Sequence, residues 1–123
     1  KMAKEVSKQI YDLLKQNNFD VYFPSQHKGD CISKYVVIKH DGAYQPLTVS
    51  SERPIYTIMC YVPEQSYSEL ESFVLEIKRT MKSVFPLVMY AGNETPSYYD
   101  DSIKGHMISF QYYGTRKIEN WNL

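Results

Sequence analysis

Two stretches of the chain repeat apolar residues at helical spacing, and they predict the two main helices. The first runs from about residue 3 to residue 17, with apolar positions at Ala3, Val6, Ile10, Leu13 and Leu14. Asn17-Asn18 supplies a stop signal for it. The second opens on the capping-box pattern Ser66-Tyr67-Ser68-Glu69. It continues in an apolar stripe of Leu70, Phe73, Val74, Ile77, Met81 and Val84.

Shorter segments that alternate or stay apolar predict strands. They lie at 19–23, 35–39, 55–62, 87–90 and 106–113. The Asp41-Gly42 pair predicts a turn that closes the second strand. Residues 24–33 and 91–105 predict loops, because both are rich in turn-forming residues. The polar segment 43–52 is consistent with either a short edge strand or a mobile connection.

The order of these elements is helix, three strands, helix, two strands. This order predicts a single α+β domain over residues 1–123. Its core is expected to be a four- to five-stranded antiparallel or mixed sheet with the two main helices packed on it. Residues 114–123 are predicted to form a flexible or partner-docking tail, in which Trp121 is the largest apolar side chain.

The strand predicted at 55–62 carries no charge on either face. One face would present Ile55, Thr57, Met59 and Tyr61, and the other Tyr56, Ile58, Cys60 and Val62. Such a strand is expected to be buried on both sides. Two helices can cover one face, so the second needs long loops, a helix moved to that side, or a neighbouring subunit. An apolar sheet face left exposed is typical of an interaction surface, which favours self-association.

Tyrosine is the unusual feature of the composition, with 12 residues against one tryptophan and five phenylalanines. Tyrosine joins a large apolar ring to a polar tip, so it suits surfaces that become half-buried in assemblies. The alternative is that tyrosine simply fills strands, where aromatic residues are favoured.

Charge and hydropathy argue against two classes of partner. The 14 basic side chains balance 14 acidic ones, whereas duplex-binding domains usually carry a basic excess. The longest basic cluster, Lys78, Arg79 and Lys82, is better explained as a solvated helix face. No apolar run is long enough to span a membrane. Cys31 and Cys60 are expected to be reduced thiols in a cytosolic setting.

The residue types needed for catalysis or metal binding occur without the spacing that such sites require. His27, Cys31 and His40 fall short of the four closely paired ligands of a closed zinc site. Cys31 with His27 or His106 as its base would need a contact that no local motif indicates. Glycine-rich phosphate loops and hydrolase or metalloprotease motifs are absent from the sequence.

Asp100-Asp101, with Glu94 nearby, is the remaining acidic feature. Calcium loops need oxygen ligands at fixed alternating positions around a central glycine, and this segment lacks that spacing. An acidic turn is the better interpretation. No catalytic residue, cofactor or metal site is therefore assigned, and the chain is expected to be an interaction protein and not an enzyme.

Six short segments carry a resemblance to a known family. They are Leu13-Leu14, Val21-Tyr22-Phe23-Pro24, Tyr35-Val36-Val37-Ile38, Met59-Cys60-Tyr61, Tyr98-Tyr99-Asp100-Asp101 and Ile108-Ser109-Phe110-Gln111-Tyr112. In this order they resemble the tail-completion, or tail-terminator, proteins of long-tailed bacteriophages over most of residues 3–113. The chain departs from that pattern at Lys34, where a proline is common, and in its polar stretch 43–52.

The resemblance implies a ring, commonly a hexamer, that caps the finished tail tube and joins it to the head connector. The implied partners are further copies of the chain, the tail tube protein and the head–tail connector protein. The implied place is the tail or neck of the virion, assembled in the bacterial cytoplasm. We expect the interface to include Met59, Tyr61, Tyr98, Tyr99, Asp100, Asp101, Tyr113 and Trp121. Another head–tail connector or neck component is the alternative, followed by a small ligand-binding domain or enzyme.

Overall fold

Two helices lie on one face of a mixed sheet in the computed structural model, which describes residues 5–44 and 51–117. The helices are α1 (Val6–Gln16) and α2 (Leu70–Met81), and α2 is flanked by 3-10 turns at Glu64–Glu69 and Lys82–Val84. The strands are β1 (Val21–Tyr22), β2 (Tyr35–Tyr44), β3 (Ser51–Pro63), β4 (Val88–Gly92), β5 (Tyr98–Asp100), β6 (Gly105–Gly114) and β7 (Arg116–Lys117). The predicted α+β class, with two helices packed on a mixed sheet, is confirmed.

The sheet is built around β3 and β6. The strands follow the order β1-β2-β3-β6-β4, with β5 also beside β6 and β7 beside the start of β3. Among the described strands, β1 and β2 run parallel and the other pairs are antiparallel. Within the described residues the sheet has two strands beyond the four or five predicted, namely β5 and β7, which contain only three and two residues.

One edge of β6 is shared by two strands. β4 pairs with the end of β6, and β5 pairs with its beginning. Between them, the Thr95 amide donates to the Ser109 carbonyl at 2.9 Å. The Ser109 amide in turn donates to Thr95 Oγ1 at 3.1 Å. Residues 88–100 thus continue the hydrogen bonding of this edge from one end of β6 to the other.

The hydrophobic core lies between the helices and one face of the sheet. From the sheet it includes Val36, Ile38, Tyr56, Ile58, Cys60, Val62, Phe110 and Tyr112. From the helices it includes Ile10, Leu14, Leu70, Phe73, Val74, Ile77 and Met81. The predicted stripe of the second helix is confirmed from Leu70 to Met81, whereas Val84 is only partly buried.

The predicted end of the first helix is confirmed, whereas the predicted start of the second helix is wrong. Asn18 takes a left-handed conformation, with φ of 68°, and α1 ends there as predicted. The capping box at Ser66 is wrong. Ser66 lies in the 3-10 turn with non-helical φ and ψ, and α2 begins four residues later without a side-chain cap. The Ser72 hydroxyl instead donates to the Glu69 carbonyl at 3.1 Å.

The turn predicted at Asp41-Gly42 is a bulge within β2. The pairing register with β3 shifts between His40 and Ala43, and Gly42 accommodates the bulge with a φ of 81°. Pairing resumes at Ala43 opposite Pro54, so β2 continues to Tyr44. Of the polar segment 43–52, residues 43–44 belong to β2 and residues 51–52 to β3, and the rest lies outside the described residues.

Two further boundaries differ from prediction. The loop predicted at 91–105 contains β5, whose pairing with β6 is a contact that local sequence does not show. The tail predicted from residue 114 begins in regular structure, because Gly114 belongs to β6 and residues 116–117 pair with residues 51–52. Its remaining part, residues 118–123, lies outside the described residues.

Candidate interaction surface

The face of the sheet opposite the helices is named here the outer face. Strand register places on it Tyr35, Val37 and Lys39 of β2, Ile55, Thr57, Met59 and Tyr61 of β3, Met107, Ser109, Gln111 and Tyr113 of β6, Met89 of β4 and Tyr98 of β5. Most of these side chains are half-buried, whereas most of their neighbours on the helix-covered face are buried. The expected burial of β3 on both sides is therefore only half correct for the isolated chain.

A row of tyrosine and methionine crosses one end of the outer face. Tyr35, Tyr61, Met107 and Tyr98 are successive cross-strand partners on β2, β3, β6 and β5. The Tyr35 and Tyr61 rings stack with centroids 4.7 Å apart. Exposure rises along the row, from 3% for Tyr35 to 57% for Tyr98. The row is therefore buried at its Tyr35 end and exposed to solvent at its Tyr98 end.

Loops cover the buried end of this row. His27 stacks on the Tyr35 ring at 3.9 Å between centroids. Cys31, Tyr35 and Val37 form a second small core, against which Ile103 packs. The Cys31 amide donates to the Ile103 carbonyl at 2.7 Å, which joins the two loops. The sequence left three possible covers for the second face, namely long loops, a helix or a neighbouring subunit. In the structure, loops cover one end of the outer face, and the rest is half-exposed.

A hydrogen-bonded polar row crosses the middle of the outer face. The Thr57 hydroxyl donates to the Asp41 carboxylate and accepts from Gln111 Nε2 at 3.1 Å. Gln111 Oε1 in turn accepts from Asn93 Nδ2 at 2.8 Å. The bond from Thr57, with Lys39 at 3.2 Å, holds the pKa of Asp41 below its usual value. These bonds join the bulge of β2 to β3, β6 and the turn after β4, and they favour this strand register.

On the other side of the polar row, the outer face again carries aromatic and thioether side chains. The Arg53 guanidinium lies 4.9 Å from the centroid of the Tyr113 ring, a cation–π contact. The Tyr113 hydroxyl donates to Met89 Sδ at 3.8 Å. This end of the face therefore also offers aromatic and apolar area with polar tips.

Four of the expected interface residues share the outer face, namely Met59, Tyr61, Tyr98 and Tyr113. Asp100 accepts from the Ser102 amide at 3.0 Å, so it stabilises the turn that it shares with Asp101. Trp121 lies outside the described residues.

Tyr99 points to the opposite side of the sheet from Tyr98. Its hydroxyl donates to the Glu64 carboxylate at 2.7 Å, and this bond raises the pKa of Tyr99 to about 12. Its ring lies 5.1 Å from His106. Sequence reasoning missed Tyr35 and Met107 as members of the row, because only the strand register brings them together.

The residues considered for nucleophilic chemistry are engaged elsewhere. Burial raises the pKa of the Cys31 thiol to about 11, and the thiol donates to the Ser33 carbonyl at 3.4 Å. His27 stacks on Tyr35, and His106 Nε2 lies 3.2 Å from the Glu64 carbonyl. A thiol with a raised pKa is a poor nucleophile near neutral pH.

The part of the chain that the structure describes shows neither a cluster of metal-binding side chains nor a membrane-spanning helix. Within residues 5–44 and 51–117, no group of three or more His, Cys, Asp or Glu side chains is placed to hold a metal ion. None of the helices in the same part of the chain is long and apolar enough to cross a membrane.

A separate groove lies at the edge of the helix-covered face. It has a volume of about 440 Å³ and is lined by Lys78, Lys82, Phe85, Val88, Met89, Tyr90 and Tyr112. Sequence reasoning missed it, although Phe85 falls outside the apolar stripe of the second helix and so has no predicted place in the core.

Comparisons with known proteins found no match to this chain, either among protein-family models or among curated proteins.

Proposed function

We propose that the protein is a phage structural subunit that assembles through its outer face into a ring. The ring caps the finished tail tube and joins it to the head connector. The observation that carries the proposal is the tyrosine–methionine row, which runs continuously across four strands and becomes more exposed toward β5. The assignment to phage tails rests on the family resemblance of the sequence.

The chemistry of the outer face supports self-association. Tyrosine and methionine are enriched in interfaces, and lysine and glutamate are depleted there. Tyr61, Met107 and Tyr98 place such side chains next to one another at the open end of the row. Tyrosine carries a polar hydroxyl group on an apolar ring. The hydroxyl group is solvated before assembly, and it can still form a hydrogen bond when a partner covers the ring.

A ring is the form of assembly that such a face supports in this setting. The outer face has a buried, loop-covered end at Tyr35 and an exposed end at Tyr98, so it is not symmetric about its centre. A head-to-tail contact between unlike surfaces closes only when its rotation divides a full turn. We propose six subunits, which is the number implied by the resemblance.

The balanced charge suits a ring through which DNA must pass. The 14 basic and 14 acidic side chains cancel, so the chain has no net excess with which to neutralise phosphates. A subunit of this kind lets the duplex move through the ring without gripping it.

The test combines sedimentation with electron microscopy. The mass of the purified protein is measured over a wide range of concentrations, and the protein is then mixed with tail tubes that lack a cap. We expect ring-sized particles or density at the tube ends. A protein that stays monomeric and leaves the tube ends bare would overturn the proposal. Binding to isolated connectors but not to tubes would favour a neck component instead.

A matched pair of variants links the assembly to the outer face. Tyr98→Glu adds a charge to the open end of the row, at a side chain that is 57% exposed. Leu75→Glu adds the same charge on α2, at a side chain that is 48% exposed on the other side of the sheet. We expect Tyr98→Glu to abolish ring formation while Leu75→Glu retains it. Equal effects of the two variants would show that the outer face is not the interface.

A further inference from the structure

The groove at the edge of the helix-covered face exposes large apolar side chains beside buried ones. Phe85 is 64% exposed and Tyr90 48%, whereas Val88 and Tyr112, which line the same groove, are buried. Its volume of about 440 Å³ falls within the range of about 300–1,000 Å³ usual for pockets that bind compact groups. The groove therefore has room for an aromatic side chain.

One lysine of the groove is available to a partner. Lys78 lies 4.9 Å from the centroid of the Tyr90 ring and pairs with Glu94. Lys82 is exposed and forms no ion pair within residues 5–44 and 51–117. An occupant that carries an aromatic ring close to a carboxylate would match this lining, because the ring can cover Phe85 and the carboxylate can face Lys82.

The end of β5 and the turn after it carry these two groups together. Tyr98 is the most exposed member of the tyrosine–methionine row, at 57%. Asp101 follows three residues later; it is exposed and has no ion pair in the part of the chain that the structure describes. Asp100, in contrast, accepts a hydrogen bond from the Ser102 hydroxyl at 2.6 Å. Residues 98–101 therefore present one ring and one carboxylate to a partner.

A chain cannot place residues 98–101 in its own groove. Tyr98 pairs with Met107 and Tyr90 with Tyr112, and these two partners are five residues apart on β6, which is about 17 Å along a strand. Tyr98 also lies on the outer face, whereas Lys78 of α2 places the groove on the helix-covered side. A contact between the two sites must therefore join two chains.

We propose that the groove receives residues 98–101 of a second copy of the chain, with the Tyr98 ring against Phe85 and the Asp101 carboxylate facing Lys82. Each chain then offers its Tyr98 end to one neighbour and its groove to another, which is the head-to-tail arrangement of a ring. This inference rests on the proposed function, because it names the second of the two unlike surfaces that such a ring needs.

A mixture of two variants tests the proposal. Tyr98→Glu damages the end of the row and leaves the groove intact, whereas Phe85→Glu damages the groove and leaves Tyr98 intact. At a protein concentration at which the parent associates, each variant alone should sediment as a monomer. An equimolar mixture should form dimers and nothing larger, because each pair of unlike variants retains one intact contact. A fluorescent label on one variant shows whether each dimer contains both.

Charge reversal at two exposed positions tests the same contact without removing a ring. Lys82→Glu and Asp101→Lys should each lower the association constant roughly fivefold, and the double variant should recover it. Ile32→Glu is the control, because Ile32 is 84% exposed and lies in neither site, and it should associate like the parent. Circular dichroism confirms that each variant is folded.

The possible failures are distinguishable. Association of Phe85→Glu equal to that of the parent would overturn the groove as the docking site and leave the ring standing. A mixture without dimers, or with larger particles, would show that Tyr98 and Phe85 do not form one contact. A double charge variant that fails to recover would overturn the pairing of Asp101 with Lys82. A parent that stays monomeric and leaves uncapped tube ends bare would overturn the ring and this inference together.

Discussion

The two faces of the sheet use the same strands for different purposes. On β3, Ile58 faces the helices and is fully buried, whereas Ile55 faces outward and is half-buried. The helix-covered face of β3 is apolar from Pro54 to Val62, while the outer face includes the polar row of Asp41, Thr57 and Gln111. The helix-covered face supplies the burial that stabilises the fold. The outer face joins the strands through side-chain hydrogen bonds and leaves part of its apolar area exposed.

The largest expected effect is in the helix-covered core. Phe73 of α2 is 3% exposed and packs near Phe19, with ring centroids 6.2 Å apart. Phe73→Ala should lower the free energy of unfolding by about 3–5 kcal/mol, the usual cost of deleting a core aromatic ring. Urea titration measures this loss. Leu75→Ala on the exposed side of the same helix should change it by about 0.5 kcal/mol or less. Similar losses in the two variants would refute the core assignment.

The two isoleucines of β3 compare the faces directly. Ile58→Ala should cost about 2–5 kcal/mol, because a fully buried side chain leaves a cavity. Ile55→Ala should cost about 1 kcal/mol in the monomer, since its side chain is already half in water. Urea denaturation at low protein concentration gives both values. If assembly covers the outer face, the cost of Ile55→Ala should rise with concentration, and that of Ile58→Ala should not.

The loop-covered end of the outer face can be disturbed through Gly105. A Cβ atom at this position would lie 2.9 Å from Cys31 Cβ and 3.0 Å from the Val62 carbonyl. Gly105→Ala should therefore cost about 1–3 kcal/mol through overpacking. Gly114→Ala at the other end of β6 is the control, since its nearest atom would be 3.4 Å away. Equal melting temperatures for the two variants would show that the Cys31 loop is not tightly packed.

The polar row predicts that the free energy of unfolding depends on pH through the Asp41 carboxylate. Thr57→Val leaves Asp41 and Gln111 without their shared hydroxyl, which should cost about 1–3 kcal/mol at neutral pH. The folded-state pKa of Asp41 is lowered, so its contribution is present above the unfolded value of about 3.9 and is lost as pH falls through the folded pKa.

Urea titrations at neutral pH and at about pH 3 measure this difference. The parent should lose more stability on acidification than Thr57→Val does, because the variant no longer stabilises the ionised carboxylate. Thr80→Val on α2 tests for a general effect of the substitution, since the Thr80 hydroxyl donates to the Glu76 carbonyl of its own helix. An equal acid loss in parent and Thr57→Val would contradict the role assigned to this row.

The smallest expected effect is a difference in the alkylation rates of the two thiols, Cys31 and Cys60. It is measured on the parent protein, so no substitution changes the stability. Burial raises the pKa of both Cys31 and Cys60, so the folded protein should react slowly with iodoacetamide near pH 8. Cys31 is covered only by loops, whereas Cys60 lies in the main core. Mass spectrometry should therefore find Cys31 modified first, through local opening, and Cys60 only on global unfolding. Modification of Cys60 before Cys31 would contradict the prediction that the loop-covered core opens more easily than the main core.

Local periodicity predicted the helix-covered face well. The stripe from Leu70 to Met81 repeats at helical spacing, and the same residues are buried in the structure. The outer face was harder to predict. Gln111 and Thr57 are 54 residues apart in the chain, and only the pairing of β3 with β6 joins them. The short strand β5 and the bulge at Gly42 likewise depend on distant partners.

The position of β6 beside β3 has a consequence for synthesis of the chain. β2 and β3 are neighbours in sequence, but β3 pairs with β6 only once the segment from Gly105, opposite Pro63, to Tyr113, opposite Ile55, has left the ribosome. Until then one edge of a long apolar strand has no native partner, although α2 is already available to cover its face. Such non-local pairing slows folding, and an unpaired edge invites contact with other chains. We expect nascent chains that end before β6 to depend on chaperones, and chains that extend past Gly114 to be released from them.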